Sequence, residues 1–287
     1  MAQSKVRIAA VEAFTTVDEG YFSKNVDYAM KALDEASAGG ADIICFPETF
    51  PGPRYAHDVT LDCFEAISEK AKKIQKYVVY GAVLAAPEAG KQYVAQILVG
   101  PDGKKIGTYC RTTPPGPWIY AGGSFWDFNY TTADEHPVFD TDIGKIGLRV
   151  CSEVYMPELS RILAVHGAEI TFLPAGTFKR NFLKTWRTLL QARAIENLMY
   201  TVSCDNIIPD QPGPGLAIIS GPEGEVVETS REGIIYMDAD LDRVRWLRKA
   251  QDSITTSFEG IPFYTKPGTL EQGRRPEIFK DLLKQIP

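Results

Sequence analysis

Gly40-Ala41-Asp42-Ile43-Ile44-Cys45-Phe46-Pro47-Glu48 and Gly167-Ala168-Glu169-Ile170-Thr171-Phe172-Leu173-Pro174-Ala175 share one pattern: Gly-Ala, an acid, a short apolar run and a proline. Each follows an amphipathic helix pattern. Before the first, Phe22, Val26, Met30, Leu33 and Ser37 step by three or four. Before the second, Leu159, Ile162, Leu163 and His166 do the same, with Pro157 placed to open the helix. A helix feeding a short buried strand therefore occurs twice, as in an internal duplication.

A second echo follows at a similar offset. Gly100-Pro101-Asp102-Gly103 and Gly221-Pro222-Glu223-Gly224 both read as hairpin turns, with proline pre-setting φ and glycine closing the turn. Each half opens with a strand, at 6–12 and 145–150. Each carries a second helix, near 60–76 and 180–198. In the latter, Phe182, Trp186, Leu190, Ala194 and Leu198 form one stripe. Each half then reads β-α-β-α-β-β. Right-handed crossovers place both helices on one face of a sheet, and the other face also needs cover. Packing the two sheets together predicts an α/β fold, a four-layer α-β-β-α sandwich with pseudo-twofold halves. The whole of 1–287 reads as a single domain. Its last stretch, 252–287, is a tail containing Phe258, Ile261, Phe263 and Tyr264, expected to dock on a partner subunit.

Composition narrows the function. A net charge of -6 and the lack of a basic run with interleaved aromatics argue against a nucleic-acid partner. No apolar stretch reaches the ~18 residues that a membrane span needs. The N-terminal residues lead directly into a strand-like run, without the core of a signal peptide. A cytoplasmic location is expected. The five cysteines, Cys45, Cys63, Cys110, Cys151 and Cys204, are odd in number and widely spaced, so they read as free thiols. Neither His57, His136 and His166 nor the cysteines have metal-ligand spacing, and His166 falls on an apolar helix stripe. Phosphate-loop and dinucleotide fingerprints are absent.

In open α/β sheets, ligands gather at the carboxyl ends of strands. Glu48 stands past one such end and Cys151 past another, so both are expected to face one crevice. A free thiol is only a few per cent thiolate at neutral pH. A carboxylate within reach can take its proton during attack, which makes Cys151 the candidate nucleophile and Glu48 the candidate base.

These residues lie in patterns that resemble the nitrilase (carbon–nitrogen hydrolase) superfamily. Phe46-Pro47-Glu48 resembles its glutamate motif. Residues 137–153, ending Gly147-Leu148-Arg149-Val150-Cys151-Ser152-Glu153, resemble its cysteine motif. Residues 100–109 resemble the hairpin leading to its lysine, and Gln191-Ala192-Arg193-Ala194-Ile195-Glu196-Asn197 resembles the helix ending its second half. The similarity runs from about residue 5 to 245. It implies the sandwich inferred above and a homodimer or larger homo-oligomer. It also implies a Glu-Lys-Cys triad that needs no metal or organic cofactor. The cysteine would attack an amide or nitrile carbon, a nitrogen would leave, and water would hydrolyse the acyl-thioester.

Two departures bear on that chemistry. Arg111 stands where the family has lysine, in Tyr109-Cys110-Arg111-Thr112-Thr113. Arginine stays protonated and cannot pass a proton, but it can supply charge and N–H donors to an oxyanion. The family's second glutamate has no counterpart around residues 117–123. The expected catalytic residues are Glu48, Arg111 and Cys151. Phe50, Trp118, Ser152 and Ala175 are the expected substrate-binding residues, with the Ser152 N–H a candidate oxyanion donor. The expected substrate is a small amide or carbamoyl compound. A nitrile, and a catalytically weakened member that binds a small molecule or protein partner, are the alternatives.

Overall fold

A computed structural model describes residues 4–52, 61–113, 130–176, 183–208, 215–249 and Glu277. The first half runs β1 (Lys5–Phe14), α1 (Tyr21–Ala38), β2 (Ile43–Cys45), α2 (Phe64–Ile74), β3 (Tyr77–Ala85), β4 (Gln92–Val99) and β5 (Lys105–Cys110). β6 (Val138–Thr141) follows the first half, and the second runs β7 (Gly144–Leu148), a 3-10 turn (Cys151–Tyr155), α3 (Pro157–Val165), β8 (Ile170–Phe172) and α4 (Leu183–Asn197). It continues through β9 (Tyr200–Ser203), β10 (Asn206–Ile207), β11 (Ala217–Ser220), β12 (Val226–Thr229), β13 (Gly233–Asp240) and α5 (Leu241–Lys249).

One sheet has the order β10-β1-β2-β3-β4-β5, with β13 also on β1. The other has the order β12-β11-β9-β8-β7-β6. The centres, β1-β2-β3 and β7-β8-β9, are parallel, as crossover helices require. Outside them lie antiparallel partners. β6 pairs with β7, and β13 pairs with β1 from Lys5↔Asp240 to Glu12↔Gly233. The strand following each half thus crosses to the other half's sheet.

Alternation along the strands makes the layers. On β1, Val6, Ile8 and Ala10 enter a core shared by both sheets, with Ile43 and Val79 meeting Ile146, Leu148, Ile170, Phe172 and Val202. The intervening Ala9, Val11 and Ala13 join Ile44, Val78 and Tyr80 beneath α1 and α2. Trp186 and Leu190 of α4 cover Leu173, Leu216 and Ile218 on the far side. The α-β-β-α sandwich with related halves is the architecture expected.

Its details differ from expectation in four places. Extra strands follow each second helix, β3 in the first half and β9 with the two-residue β10 in the second, so the repeat is longer than β-α-β-α-β-β. Tyr77–Ala85 is a nearly continuous apolar run without the alternation that marks a half-exposed strand. On α1 the buried face is Asn25, Ala29, Ala32, Leu33 and Ala36 rather than the larger apolar stripe. Small side chains let this helix lie close on its sheet, while Phe22, Val26 and Met30 pack at its flank. His166 is exposed at the end of α3, where its ring meets the His136 carbonyl at 3.2 Å, instead of lying on the buried stripe. The expected tail at 252–287 lies outside the described residues, apart from Glu277.

Candidate functional site

The carboxyl ends of β2, β5, β7 and β8 meet at one end of the sandwich. The extension of β8 through Pro174, Ala175 and Gly176 presents three successive carbonyls. Pro174 O accepts from the Cys151 N–H at 2.8 Å, Ala175 O from the Glu48 N–H at 3.1 Å, and Gly176 O from the Asn206 N–H at 2.7 Å. One strand end thereby holds the two residues that the sequence put forward as nucleophile and base.

Both turns are backbone-strained. Cys151 has φ 48° and Thr49, next to Glu48, has φ 57°, left-handed values that side chains with a Cβ seldom adopt. Gly81 on β3 makes the second turn possible. A Cβ there would lie 2.1 Å from the Thr49 nitrogen and 2.7 Å from its Cα. The Glu48 carbonyl accepts from Asn206 Nδ2 at 3.0 Å. The Cys151 side chain is half-buried, against both the inter-sheet core and the α4 layer.

Arg111 follows β5 and is buried. Its guanidinium is gripped from three directions. Nε donates to Thr113 O at 2.9 Å, Nη1 pairs with Glu48 Oε1 at 3.5 Å, and Nη2 donates to Ser152 Oγ. The cation therefore bridges the Glu48 turn and the Cys151 turn. Arginine's fork suits this better than an ammonium, because its donors point in fixed, separate directions.

Glu153, fully buried, ties the Arg111 segment to the Cys151 turn. Its carboxylate accepts from Tyr109 Oη at 2.7 and 2.8 Å, Thr112 N at 3.0 Å, Thr113 N at 3.2 Å and Val150 N at 2.9 Å. Burial and this carboxylate push the Tyr109 hydroxyl far up, so it remains a donor. The adjacent Arg149 guanidinium is fully buried. Burial pulls its pKa down to about 10, against the opposing pull of Tyr109 and Glu153. Burial pushes the Tyr130 hydroxyl up, as does the Glu48 charge, with Arg111 acting in the opposite sense.

Of the expected site residues, Glu48, Arg111, Ser152 and Ala175 are brought together around Cys151 by these bonds. Phe50 differs. It is fully buried, stacked on Phe46 at 5.4 Å and edge-on to Tyr28 at 6.0 Å, in the core beneath α1. It supports the Glu48 turn instead of lining a hollow, because the turn carries its ring back under the helices. Ala175 contributes its carbonyl, its side chain being buried against α4. Ser152 offers its hydroxyl to Arg111. Trp118 lies outside the described residues.

Sequence reasoning passed over Asn206, Tyr130 and the role of Glu153. Glu153 carried a usable signal, an acid two residues beyond a candidate nucleophile. Among the described residues no three His, Cys, Asp or Glu side chains group as a metal site. None of their helices is long and apolar enough to cross a membrane. A charged groove lies at the opposite ends of β7 and β8, where Lys145 pairs with Asp140 and Arg245 with Glu169.

Residues 7–249 match the family model described as carbon-nitrogen hydrolase. The chain is 28% identical to a deaminated glutathione amidase of Synechocystis over 81% of its length and 92% of that protein. It is 26% identical to the human omega-amidase NIT2, over 79% of this chain and 87% of that one. A crystal structure of a carbon-nitrogen hydrolase from Helicobacter pylori superposes with a TM-score of 0.77 at 19% identity, covering 98% of this chain and 99% of the other.

Proposed function

Because this chain belongs to the carbon–nitrogen hydrolase family of the nitrilase superfamily, we propose that it hydrolyses a small amide through a cysteine acyl-thioester, with Cys151 as nucleophile. Glu48 takes the thiol proton as sulfur attacks the carbonyl carbon. The carbonyl oxygen becomes an oxyanion, met by the Arg111 guanidinium and the backbone N–H of Ser152. The carbon–nitrogen bond then breaks and the nitrogen leaves as ammonia, carrying the proton that Glu48 returns. Water, deprotonated by Glu48, attacks the thioester, releases the acid and restores the thiol. Since arginine does not exchange its proton, Glu48 makes every proton transfer in this scheme.

The observation that supports this reading best is the row of carbonyls at Pro174 and Ala175, which ties Cys151 and Glu48 to one strand end beside Arg111. The amidases among the relatives favour an amide over a nitrile. A cytoplasmic setting fits the five cysteines, none of which is in a disulfide. The experiment is ammonia release from a panel of small amides, ureas and nitriles by the native chain and by Cys151→Ala. Turnover of an amide that disappears in the variant is expected. Turnover unchanged in Cys151→Ala would remove the mechanism.

A second reading, a weakened member that binds a small molecule, draws on the grip around Arg111. Three of its five N–H donors are already taken by protein partners. Tight binding of an amide without ammonia release would favour it.

A further inference from the structure

Glu48 is held at both ends of its backbone, from the opposite sheet and from its own. Its N–H goes to the Ala175 carbonyl, and its own carbonyl takes a hydrogen bond from the side-chain amide of Asn206 at 3.0 Å. Asn206 is itself aimed. Its N–H is fixed on Gly176 O at 2.7 Å, and its Oδ1 accepts from the buried Thr15 hydroxyl at 2.6 Å. Thr15 is anchored in turn, its N–H donating to Ile207 O at 2.9 Å. An amide whose oxygen is taken by a hydroxyl can only turn its NH2 toward Glu48. The neighbouring Asp205 is clamped to β1, its N–H donating to Glu12 Oε2 at 3.1 Å. The Thr15–Asn206–Glu48 chain therefore links the ends of β1, β10 and β2 at the point where the carboxylate must be aimed at the sulfur.

We propose that Asn206 is a positioning residue for Glu48, acting through the Glu48 carbonyl and oriented by Thr15. The proposal rests on Glu48 being the base for Cys151, as argued above. A carboxylate swung aside by a fraction of an ångström leaves its backbone fold intact and still loses the proton of the thiol. Breaking the chain should then convert Cys151 into an ordinary thiol without unfolding the protein.

The probe is iodoacetamide, which alkylates thiolates, with the rate at Cys151 followed by peptide mass spectrometry across pH in folded protein. Asn206→Ala is expected to slow labelling at neutral pH about tenfold and to move its pH profile to that of a free thiol near ~8.5. Thr15→Val should shift the profile in the same direction, and Thr15→Ser, which keeps the hydroxyl, should restore it. The Thr15 pair decides the matter if Asn206→Ala fails to fold. Native rates and profiles in Asn206→Ala, or in Thr15→Val, would overturn the proposal. Glu48→Gln separates the two ideas. If it slows labelling while the Asn206 and Thr15 variants do not, only the positioning role falls. If Glu48→Gln labels like the native chain, the base assignment falls and the positioning role falls with it.

Discussion

Cys151 and Glu48 hang from adjacent carbonyls of a single strand end, Pro174 O at 2.8 Å and Ala175 O at 3.1 Å. They are 103 positions apart in the chain and belong to different sheets, so no local propensity brings them together. The sandwich does so, by stacking one parallel sheet on another with the same ends aligned. Hydrogen bonds to consecutive residues then set their separation more rigidly than side-chain packing would.

Replacing Cys151 by Ala should cut amide turnover by at least about 10³-fold while leaving the thermal melt near that of the native chain. The residue is half-buried and its bond to Pro174 is made by the backbone, which the substitution keeps. A large drop in melting temperature would mean that the sulfur is structural.

Arg111→Ala leaves the buried Glu48 carboxylate without its cation, and losing one member of such a pair typically costs about 3 kcal/mol. Urea titration should show that loss together with a fall in turnover. Arg111→Lys should recover the charge opposite Glu48 but lose either the Thr113 or the Ser152 contact, because an ammonium lacks the fork. Its activity is expected between those of the Ala variant and the native chain. Native activity in Arg111→Ala would exclude Arg111 from the site.

Gly81→Ala tests the floor of the Glu48 turn. The added methyl meets the Thr49 backbone at 2.1 Å, where nothing flexible can yield. Overpacking of this kind costs about 3 kcal/mol. Any Gly81→Ala protein that folds should also turn over amide more slowly, since relief of the clash displaces Glu48. Normal activity in a destabilised variant would separate the turn from the chemistry.

Glu12 and Asp205 face each other in the interior, and burial together with the Asp205 charge holds the Glu12 carboxyl well above its usual range. A carboxyl with a raised folded pKa binds its proton more tightly folded than unfolded. Its stabilising share is then full below the unfolded pKa and is lost as pH climbs toward the folded one. Glu12→Gln mimics the protonated acid and removes that dependence. Melts at about pH 5 and about pH 8, on either side of the neutral range, should show the native chain losing more stability than the variant. Parallel losses would place the proton elsewhere.

How much of this was legible beforehand depended on the kind of signal. The Gly-Ala-acid-apolar-Pro echo and the paired hairpin turns are local and periodic, and the layered architecture followed from them. β3 and β9 were missed because a strand covered on both faces carries no alternation. α1 was read by its largest side chains, whereas closeness to the sheet selected its alanines. At the site, Glu48, Cys151 and Arg111 were visible as residue types at strand ends. Phe50 was read from its place past a strand end, whereas a left-handed Thr49 precedes it and its ring lies in the core beneath α1, a backbone event that composition does not announce. Asn206 was invisible for another reason. It acts through the carbonyl of a residue 158 positions away, and nothing in its own neighbourhood names that partner.

The crossing of β6 and β13 between sheets has a consequence for how the molecule is assembled. β1, Lys5–Phe14, keeps an open flank until residues 206–207 and 233–240, later in the chain, arrive to close it. A chain cut between β6 and β7 would give two pieces, each with a bare ladder of amides complementary to the other. The duplicated halves are interlocked, like two hands with a finger exchanged, and neither is a finished object alone.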